Sequence, residues 1–268
     1  MKKNQTNRLS KQHKKSEGPK GIFGESAQQH DVSVKDVSIS TFETLRKNFS
    51  QLEFRHRAQI KKSEISKKLN DVDERLGVTI FIEKSEIKPD GGIIEVKDKD
   101  GKWRIVLVTE AKHQGKDIVN ISEGILVGKN KDQDTMVAGN AIERSHKNIN
   151  EIRNIMVDEK HFPYVLFLQG SNFLTESMIV KFPNGRKIEL KYTDGSLNRI
   201  DRLTAANYSL PINQNSCENI FITVNGQTIM LQAVSIYTKA MPWTAKEMHK
   251  IMIDIAKTSL RIMGLIDK

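Results

Sequence analysis

The sequence predicts an α/β domain with a central mixed β-sheet flanked by helices. Apolar residues recur at helical spacing near both ends of the chain, and the nearly all-apolar run 103–109 is typical of a strand buried on both faces. Asp100-Gly101 connects that run to 92–97 as a hairpin. Helices before, between and after strands indicate a sheet between helical layers, and 268 residues suffice to bury a full core.

The first half of the chain contains two predicted helices and three predicted strands. Apolar steps of three and four place the helices over 41–52 and 63–76, the second ended by Gly77. The strands are predicted over 78–82, 92–97 and 103–109.

The second half of the chain alternates helices with strands and hairpins. A helix is predicted over about 137–157, a buried strand over 162–168, and hairpins over 171–199 and 219–238. The last helix begins with a capping box, Thr244 to Glu247, and ends at Gly264.

Basic residues are concentrated at the start of the chain. The formal net charge is +10, and residues 1–20 hold seven Lys or Arg against Glu17 alone. We therefore expect a flexible basic arm over 1–20 ahead of a single domain over 21–268. The charge favours nucleic acid over membrane as the partner, because no apolar run of about 18 residues exists, although a solvated tail is the alternative.

The beginning of the chain and its cysteine content bear on the compartment. Residues 1–10 are charged and polar without an apolar signal region, which disfavours secretion. Cys217 stands alone, as is usual in a reducing cytoplasm.

Two carboxylates and a lysine form the first candidate site. Glu110 and Lys112 point to the same side of their strand, with Ala111 turned away. If Asp100-Gly101 are the two central turn residues, Asp90 pairs opposite Ala111, although a bulge near Asp90 would alter the register. Such a site suits Mg²⁺, with the lysine holding or deprotonating the water that attacks a phosphate.

The alternative at this site is a structural ion pair across the strands, worth about 0.2–1 kcal/mol. The residues after the strand favour chemistry instead, because several of them bind phosphate. These residues are His113, Gln114, Lys116, Lys129 and Lys131.

A second candidate site lies at the start of the helix predicted over 137–157. Asn140, Glu143 and Arg144 share one helical face, and Asn and Arg can pair bidentately with adenine and guanine. The alternative is an exposed face with one solvated ion pair. Arg199 and Arg202 could likewise clamp phosphates or form an ordinary basic edge.

At these positions the chain resembles the EcoRI family of type II restriction endonucleases, within the PD-(D/E)xK nuclease superfamily. The similarity runs from about residue 7 to 264 and is carried by the blocks 88–92, 110–117, 139–148, 162–167 and 203–208. It implies a restriction-endonuclease-like fold in which arms at 113–133 and 171–199 wrap double-stranded DNA. It also implies a homodimer that uses Mg²⁺ to cut the palindrome GAATTC after the G and leave 5′ overhangs.

The resemblance further implies a bacterial cytoplasmic enzyme and a companion DNA methyltransferase that protects the same site. Asp90, Glu110 and the Ala111 carbonyl would hold the metal, and Lys112 would act on the attacking water. The residues implied to contact DNA are Lys88, His113, Lys116, Met136, Val137, Ala138, Gly139, Asn140, Ala141, Glu143, Arg144, Lys147, Arg199 and Arg202. Val137 stands where the family pattern has Ala.

Two other functions stay open at this point. One is a related DNA-binding protein that does not cut, against which the intact Asp90, Glu110 and Lys112 argue. The other is a repair or junction-resolving nuclease on the same core, which would select DNA by structure with little sequence preference.

Overall fold

A computed structural model describes residues 25–78, 85–113, 117–124, 140–192 and 200–267. Its helices are α1 (Glu25–Asn48), α2 (Lys62–Val72), α3 (Asp117–Ser122), α4 (Asn140–Ile155), α5 (Ile200–Ala206) and α6 (Ala245–Ile262). Its strands are β1 (Phe54–Arg57), β2 (Ile60–Lys61), β3 (Glu86–Ile87), β4 (Gly92–Lys97), β5 (Trp103–His113), β6 (Tyr164–Gln169), β7 (Met178–Lys181), β8 (Lys187–Leu190), β9 (Ile220–Val224), β10 (Gln227–Leu231) and β11 (Ser235–Lys239). The arm predicted over 1–20 lies outside the described residues.

The centre of the molecule is a five-stranded sheet with the order β1-β4-β5-β6-β11. The first three strands are antiparallel neighbours, whereas β5, β6 and β11 run parallel. All of β6 and most of β5 are buried, as expected for central strands covered on both faces. The predicted mixed sheet between helices is therefore confirmed.

Helices cover the two faces of this sheet in pairs. The terminal helices α1 and α6 pack on one face, where Val106, Leu107 and Phe167 belong to the same apolar cluster. On the other face α2 and α4 pack against a cluster that includes Ile105 and Val108. Each fully buried side chain of this size contributes about 1.5–3 kcal/mol, so both helical layers are needed to hold the central strands.

Strand β5 contains a bulge at Val106. Glu95 pairs with Ile105, but Ile94 pairs with Leu107, which leaves Val106 as the extra residue. As a result Val106 and Leu107 share one face of the sheet even though they are consecutive. Every side chain of β5 beyond the bulge therefore lies on the face opposite to the one that regular alternation would give it.

Several predicted boundaries are wrong, each for a tertiary reason. Helix α1 spans 25–48, not 41–52, because the turn after it supplied part of the periodic pattern. Strand β5 continues past 109 to His113, because pairing with β6 extends it. The hairpin predicted over 219–238 ends at Leu231, because 235–239 joins β6 in the central sheet.

Two predicted turns and the predicted capping box are present in the structure, whereas two short helices are additional to the prediction. The turns at 183–185 and 225–226 connect β7 to β8 and β9 to β10, and the Thr244–Glu247 capping box opens α6. Helices α3 and α5 were not predicted. Beyond Val78, the strand predicted over 78–82 falls outside the described residues, and the DNA-wrapping role of the arms stays a prediction. None of the described helices has the length and apolar character needed to cross a membrane.

Gly92 allows β4 to begin close to β1. Its φ is +80°, and a Cβ there would lie 2.7 Å from the Arg57 carbonyl oxygen and 2.9 Å from the His56 ring.

We expect Gly92→Ala to lower the free energy of unfolding, measured by urea denaturation, by more than the roughly 1–2 kcal/mol of left-handed strain, because β1 must also move. Gly101→Ala is the matched control, since Gly101 has φ +77° and nothing within 4 Å. Equal losses in the two variants would contradict a steric role for Gly92.

Candidate active site

The structure brings Asp90, Glu110 and Lys112 together at the carboxyl end of β5. Nζ of Lys112 lies 2.6 Å from Oδ2 of Asp90 and 2.7 Å from Oε1 of Glu110. The two carboxylates thus share one ammonium group. The Asp90 side chain is 23% exposed, whereas that of Glu110 has no exposed surface, so the site is reached from solvent at Asp90.

Asp90 lies opposite Ala111 as predicted, but the hairpin differs from the prediction in two ways whose effects on the register cancel. The turn has three central residues, 99–101, because the Asp98 amide donates to the Lys102 carbonyl at 2.8 Å. That register alone would pair Asp90 with Glu110. The bulge at Val106 restores the missing residue, and the Ala111 amide donates to Oδ2 of Asp90 at 3.2 Å.

The alternation predicted along β5 is confirmed. Ala111 belongs to the apolar cluster beneath α1 and α6, while Glu110 faces α4. There the Tyr164 hydroxyl and Nδ2 of Asn148, at 3.2 Å, both donate to Oε2 of Glu110. Neither donor was assigned from the sequence. Both lie in blocks that carry the family resemblance, but only the docking of β6 and α4 on β5 shows what they contact.

Backbone contacts hold the turn that carries Asp90. The Gly91 amide donates to the Thr109 carbonyl at 2.9 Å, and the Gly92 amide donates to the Pro89 carbonyl at 3.0 Å. Nε2 of His56 lies 3.1 Å from the Gly91 carbonyl oxygen. His56 is a third residue that sequence reasoning missed, because only the pairing of β1 with β4 brings it to this turn.

Burial and charge act together on the ionisable groups. Burial raises the pKa of Glu110, although Lys112 partly opposes this shift and Asp90 adds to it. Burial disfavours the charge on Lys112, but Glu110 and Asp90 outweigh it and raise the pKa of Lys112 above its usual value. Burial and Glu110 also raise the pKa of Tyr164. Lys112 is therefore an ammonium and Tyr164 a hydrogen-bond donor.

The oxygen atoms present fit a magnesium ion. Oε1 of Glu110 is buried and accepts no hydrogen bond of normal geometry, although Lys112 forms an ion pair with it. Mg²⁺ is commonly held by one or two carboxylates and keeps several waters, which Asp90, Glu110 and the Ala111 carbonyl can accommodate. Among the described residues, no group of three or more His, Cys, Asp or Glu side chains forms an alternative metal site.

The predicted DNA contacts occupy several places around the site. Glu143, Arg144 and Lys147 are exposed on α4, and Asn148, which contacts Glu110, lies one turn beyond Arg144. Helix α4 begins at Asn140 and Ala141. It thus extends from the predicted recognition residues to the buried carboxylate.

The other predicted DNA contacts are distributed over different elements. Lys88 is 61% exposed with Nζ 2.7 Å from Glu86, His113 is half-buried at the end of β5, and Arg202 is exposed on α5. The predicted contacts outside the described residues are Lys116, Met136, Val137, Ala138, Gly139 and Arg199. Contact with DNA stays a prediction for all of these residues.

Comparison with known proteins agrees with the resemblance. The chain matches the family model described as Restriction endonuclease EcoRI over residues 16–266. It is 58% identical over 264 residues to the type II restriction enzyme EcoRI of Escherichia coli, across 98% of this chain and 95% of that protein. It is 52% identical over 262 residues to the type II restriction enzyme RsrI of Cereibacter sphaeroides, again across 98% and 95%.

Removing the ammonium group should leave a buried carboxylate without its cation. We expect Lys112→Met to cost about 3–5 kcal/mol in chemical denaturation at pH 7 without divalent metal. Because Lys112 lowers the pKa of Glu110, the variant raises that pKa further. Folded Glu110 then holds its proton more tightly than unfolded Glu110, so the loss should shrink as the pH falls towards the ordinary carboxyl pKa.

Lys88→Met is the control for Lys112→Met, because Lys88 also pairs with a glutamate but is 61% exposed. It should change the free energy of unfolding by less than about 1 kcal/mol. Similar losses in the two variants, or a Lys112→Met loss that does not vary with pH, would contradict the buried-charge account.

Proposed function

This chain belongs to the EcoRI family of restriction endonucleases, and we propose that, as a type II site-specific deoxyribonuclease, it cuts both strands of duplex DNA at GAATTC. The cut falls after the G and leaves 5′ overhangs. The observation that carries the proposal is the site itself, where the Asp90 and Glu110 carboxylates meet the Lys112 ammonium beside an opening to solvent. Phosphodiester hydrolysis needs groups that hold a metal and position a water at the phosphate.

Mg²⁺ is the proposed cofactor, held by Asp90, Glu110 and the Ala111 carbonyl. When bound, the ion would neutralise charge on the phosphate and polarise the attacking water. Tyr164 and Asn148 fix one oxygen of Glu110, so this ligand needs little reorganisation during the reaction. Lys112, with its raised pKa, acts first as a donor that holds the attacking water in line with the phosphate.

Helix α4 is the proposed recognition element. Its exposed Glu143, Arg144 and Lys147 would enter the major groove together with Asn140, where Arg and Asn read base edges. Because Asn148 on the same helix donates to Glu110, seating α4 in the groove would also set the position of a catalytic carboxylate. The basic residues of 1–20 and the arms at 113–133 and 171–199 would add contacts to phosphates.

The working form would be a C2 homodimer, because a palindrome presents the same half-site twice and one site in each protomer then cuts one strand. A companion DNA methyltransferase would modify the same sequence, since the enzyme would otherwise cut the DNA of its own cell. Both similar enzymes come from bacteria, and we place this enzyme with its substrate in the bacterial cytoplasm.

Digestion of phage DNA with Mg²⁺, followed by sequencing of the fragment ends, tests the function. The wild type should produce ends at GAATTC, whereas Asp90→Ala and Glu110→Ala should slow cleavage by about 1,000-fold or more, because each removes a metal ligand worth several kcal/mol. Without metal both variants should bind the site as well as the wild type or more tightly, since repulsion between carboxylate and phosphate is relieved.

The same digestion distinguishes the alternatives. Binding without any cleavage by the wild type would identify a non-cutting relative. Cuts selected by junctions or flaps would identify a repair nuclease. Wild-type rates in Asp90→Ala or Glu110→Ala would reject the assigned catalytic centre.

Bidentate pairing of a guanidinium group with a base edge can be tested at Arg144. Arg144→Lys should lower discrimination between GAATTC and single-base variants by about 1–3 kcal/mol, because an ammonium group cannot reproduce bidentate pairing. Relative cleavage rates on a set of one-mismatch duplexes would measure it. Arg261→Lys, the same change in the last turn of α6, should leave discrimination unaltered. An unaltered mismatch profile in Arg144→Lys would argue against a base contact.

A further inference from the structure

A buried cluster around the bulge in β5 has no role in the chemistry described above. His161, Cys217 and Ser259 are each 0–1% exposed. Nε2 of His161 lies 2.9 Å from the Ile105 carbonyl oxygen. The Ser259 hydroxyl lies 3.1 Å from the Val106 carbonyl oxygen and 3.2 Å from the Ile255 carbonyl oxygen, so its single proton is shared between these two acceptors. It also lies 3.2 Å from Sγ of Cys217. Two side chains thus contact the two consecutive carbonyls of the bulge.

These contacts place donors at two carbonyls where the strand pairing is irregular. A bulge interrupts the hydrogen-bond ladder, and a buried carbonyl without a donor costs about 1–3 kcal/mol. A carbonyl only accepts, so Nε2 of His161 carries the proton. Burial lowers the pKa of this ring and raises the pKa of Cys217 to about 12, so the neutral imidazole has its single N–H at Ile105 and the thiol keeps its proton beside Ser259.

The donors are anchored by elements other than β5. The backbone of His161 forms an isolated antiparallel β-bridge with the backbone of Glu218 three residues before β6 begins, and Ser259 lies in α6. Both positions are therefore set by the packing of the core, and they hold Ile105 and Val106 from outside the hairpin.

The bulge decides which face of the sheet Glu110 occupies. Without the extra residue, regular alternation would turn Glu110 and Lys112 towards the apolar layer beneath α1 and α6, away from Tyr164. One residue also corresponds to about 3.4 Å along a strand. The contact of Lys112 with Asp90, at 2.6 Å, cannot survive a displacement of that size, because Asp90 does not lie on β5 and would not move with it.

We propose that His161 and Ser259 are positioning residues for DNA cleavage: they fix the bulge at Val106 and thereby keep Glu110 and Lys112 aligned with Asp90. This inference rests on the proposed function, because it takes those three residues as the catalytic centre. It adds two residues that are too deeply buried to touch DNA.

A pair of substitutions at His161 separates this role from simple packing. His161→Leu keeps most of the volume but removes the donor, whereas His161→Gln supplies an amide N–H. We expect His161→Leu to slow single-turnover cleavage by about 100-fold, the effect of a misplacement of roughly 1 Å, with unchanged affinity for the site in metal-free binding. His161→Gln should recover most of the rate.

Amide hydrogen exchange in the metal-free protein reports the geometry without relying on activity. The Ala111 amide, which donates to Asp90, should exchange faster in His161→Leu but not in His161→Gln. The Lys97 amide, which donates to the Glu53 carbonyl on the far side of the bulge, should keep its wild-type rate and serves as the internal reference.

Ser259→Ala provides a smaller change in case His161→Leu does not fold, and it should produce the same two effects. Thr41→Val is its matched control, because that hydroxyl is also buried against α6 but donates to the Val37 carbonyl. It should leave cleavage and Ala111 exchange unaltered.

Three outcomes would overturn the inference. Wild-type cleavage and Ala111 exchange in the folded His161→Leu or Ser259→Ala variant would remove the positioning role. Equal acceleration of exchange at Ala111 and Lys97 would show a global stability effect instead. Faster exchange at Ala111 with undiminished cleavage would show that the bulge is held as described but that the alignment of Asp90, Glu110 and Lys112 does not limit cleavage. Absence of cleavage at GAATTC by the wild type would instead reject the proposed function itself.

Discussion

A carboxylate buried at the end of the central sheet is the constraint on which the rest of the structure depends. Glu110 has no exposed side-chain surface, and an unpaired buried charge is too costly for a folded protein to keep. It is compensated by the ammonium of Lys112, the hydroxyl of Tyr164 and the amide of Asn148. These groups come from β5, β6 and α4, so the core and the site must form together.

In the proposed function, the same requirement would link DNA recognition to catalysis. Asn148 can donate to Glu110 only while α4 is docked on the sheet, and the exposed Glu143 and Arg144 lie one turn earlier on that helix. A duplex that engaged those residues would act on a rigid element whose next turn contacts the proposed catalytic carboxylate. Since a misplacement of about 1 Å can cost 100-fold in rate, non-cognate DNA that seats α4 poorly would be cut slowly even when it is bound.

The bulge in β5 sets the geometry of the candidate site through an irregularity of the backbone. A regular hairpin with the observed three-residue turn would place Asp90 opposite Glu110 and turn Glu110 into an apolar layer. The extra residue, Val106, changes both the residue that lies opposite Asp90 and the face of the sheet on which Glu110 lies. The Ile105 and Val106 carbonyls at the bulge are contacted by His161 and Ser259, which lie on other parts of the fold.

Local patterns in the sequence determined the strand pair 92–97 and 103–109, the shared face of Glu110 and Lys112, and the capping box at Thr244, because alternation, turn chemistry and caps act between near neighbours. The family followed from the resemblance of whole sequence blocks. Tertiary structure alone decided the donors Tyr164 and Asn148, the bulge at Val106 and the membership of 235–239 in the central sheet. These features join residues tens of positions apart. Their energies come from burial and pairing between elements, which no local periodicity records.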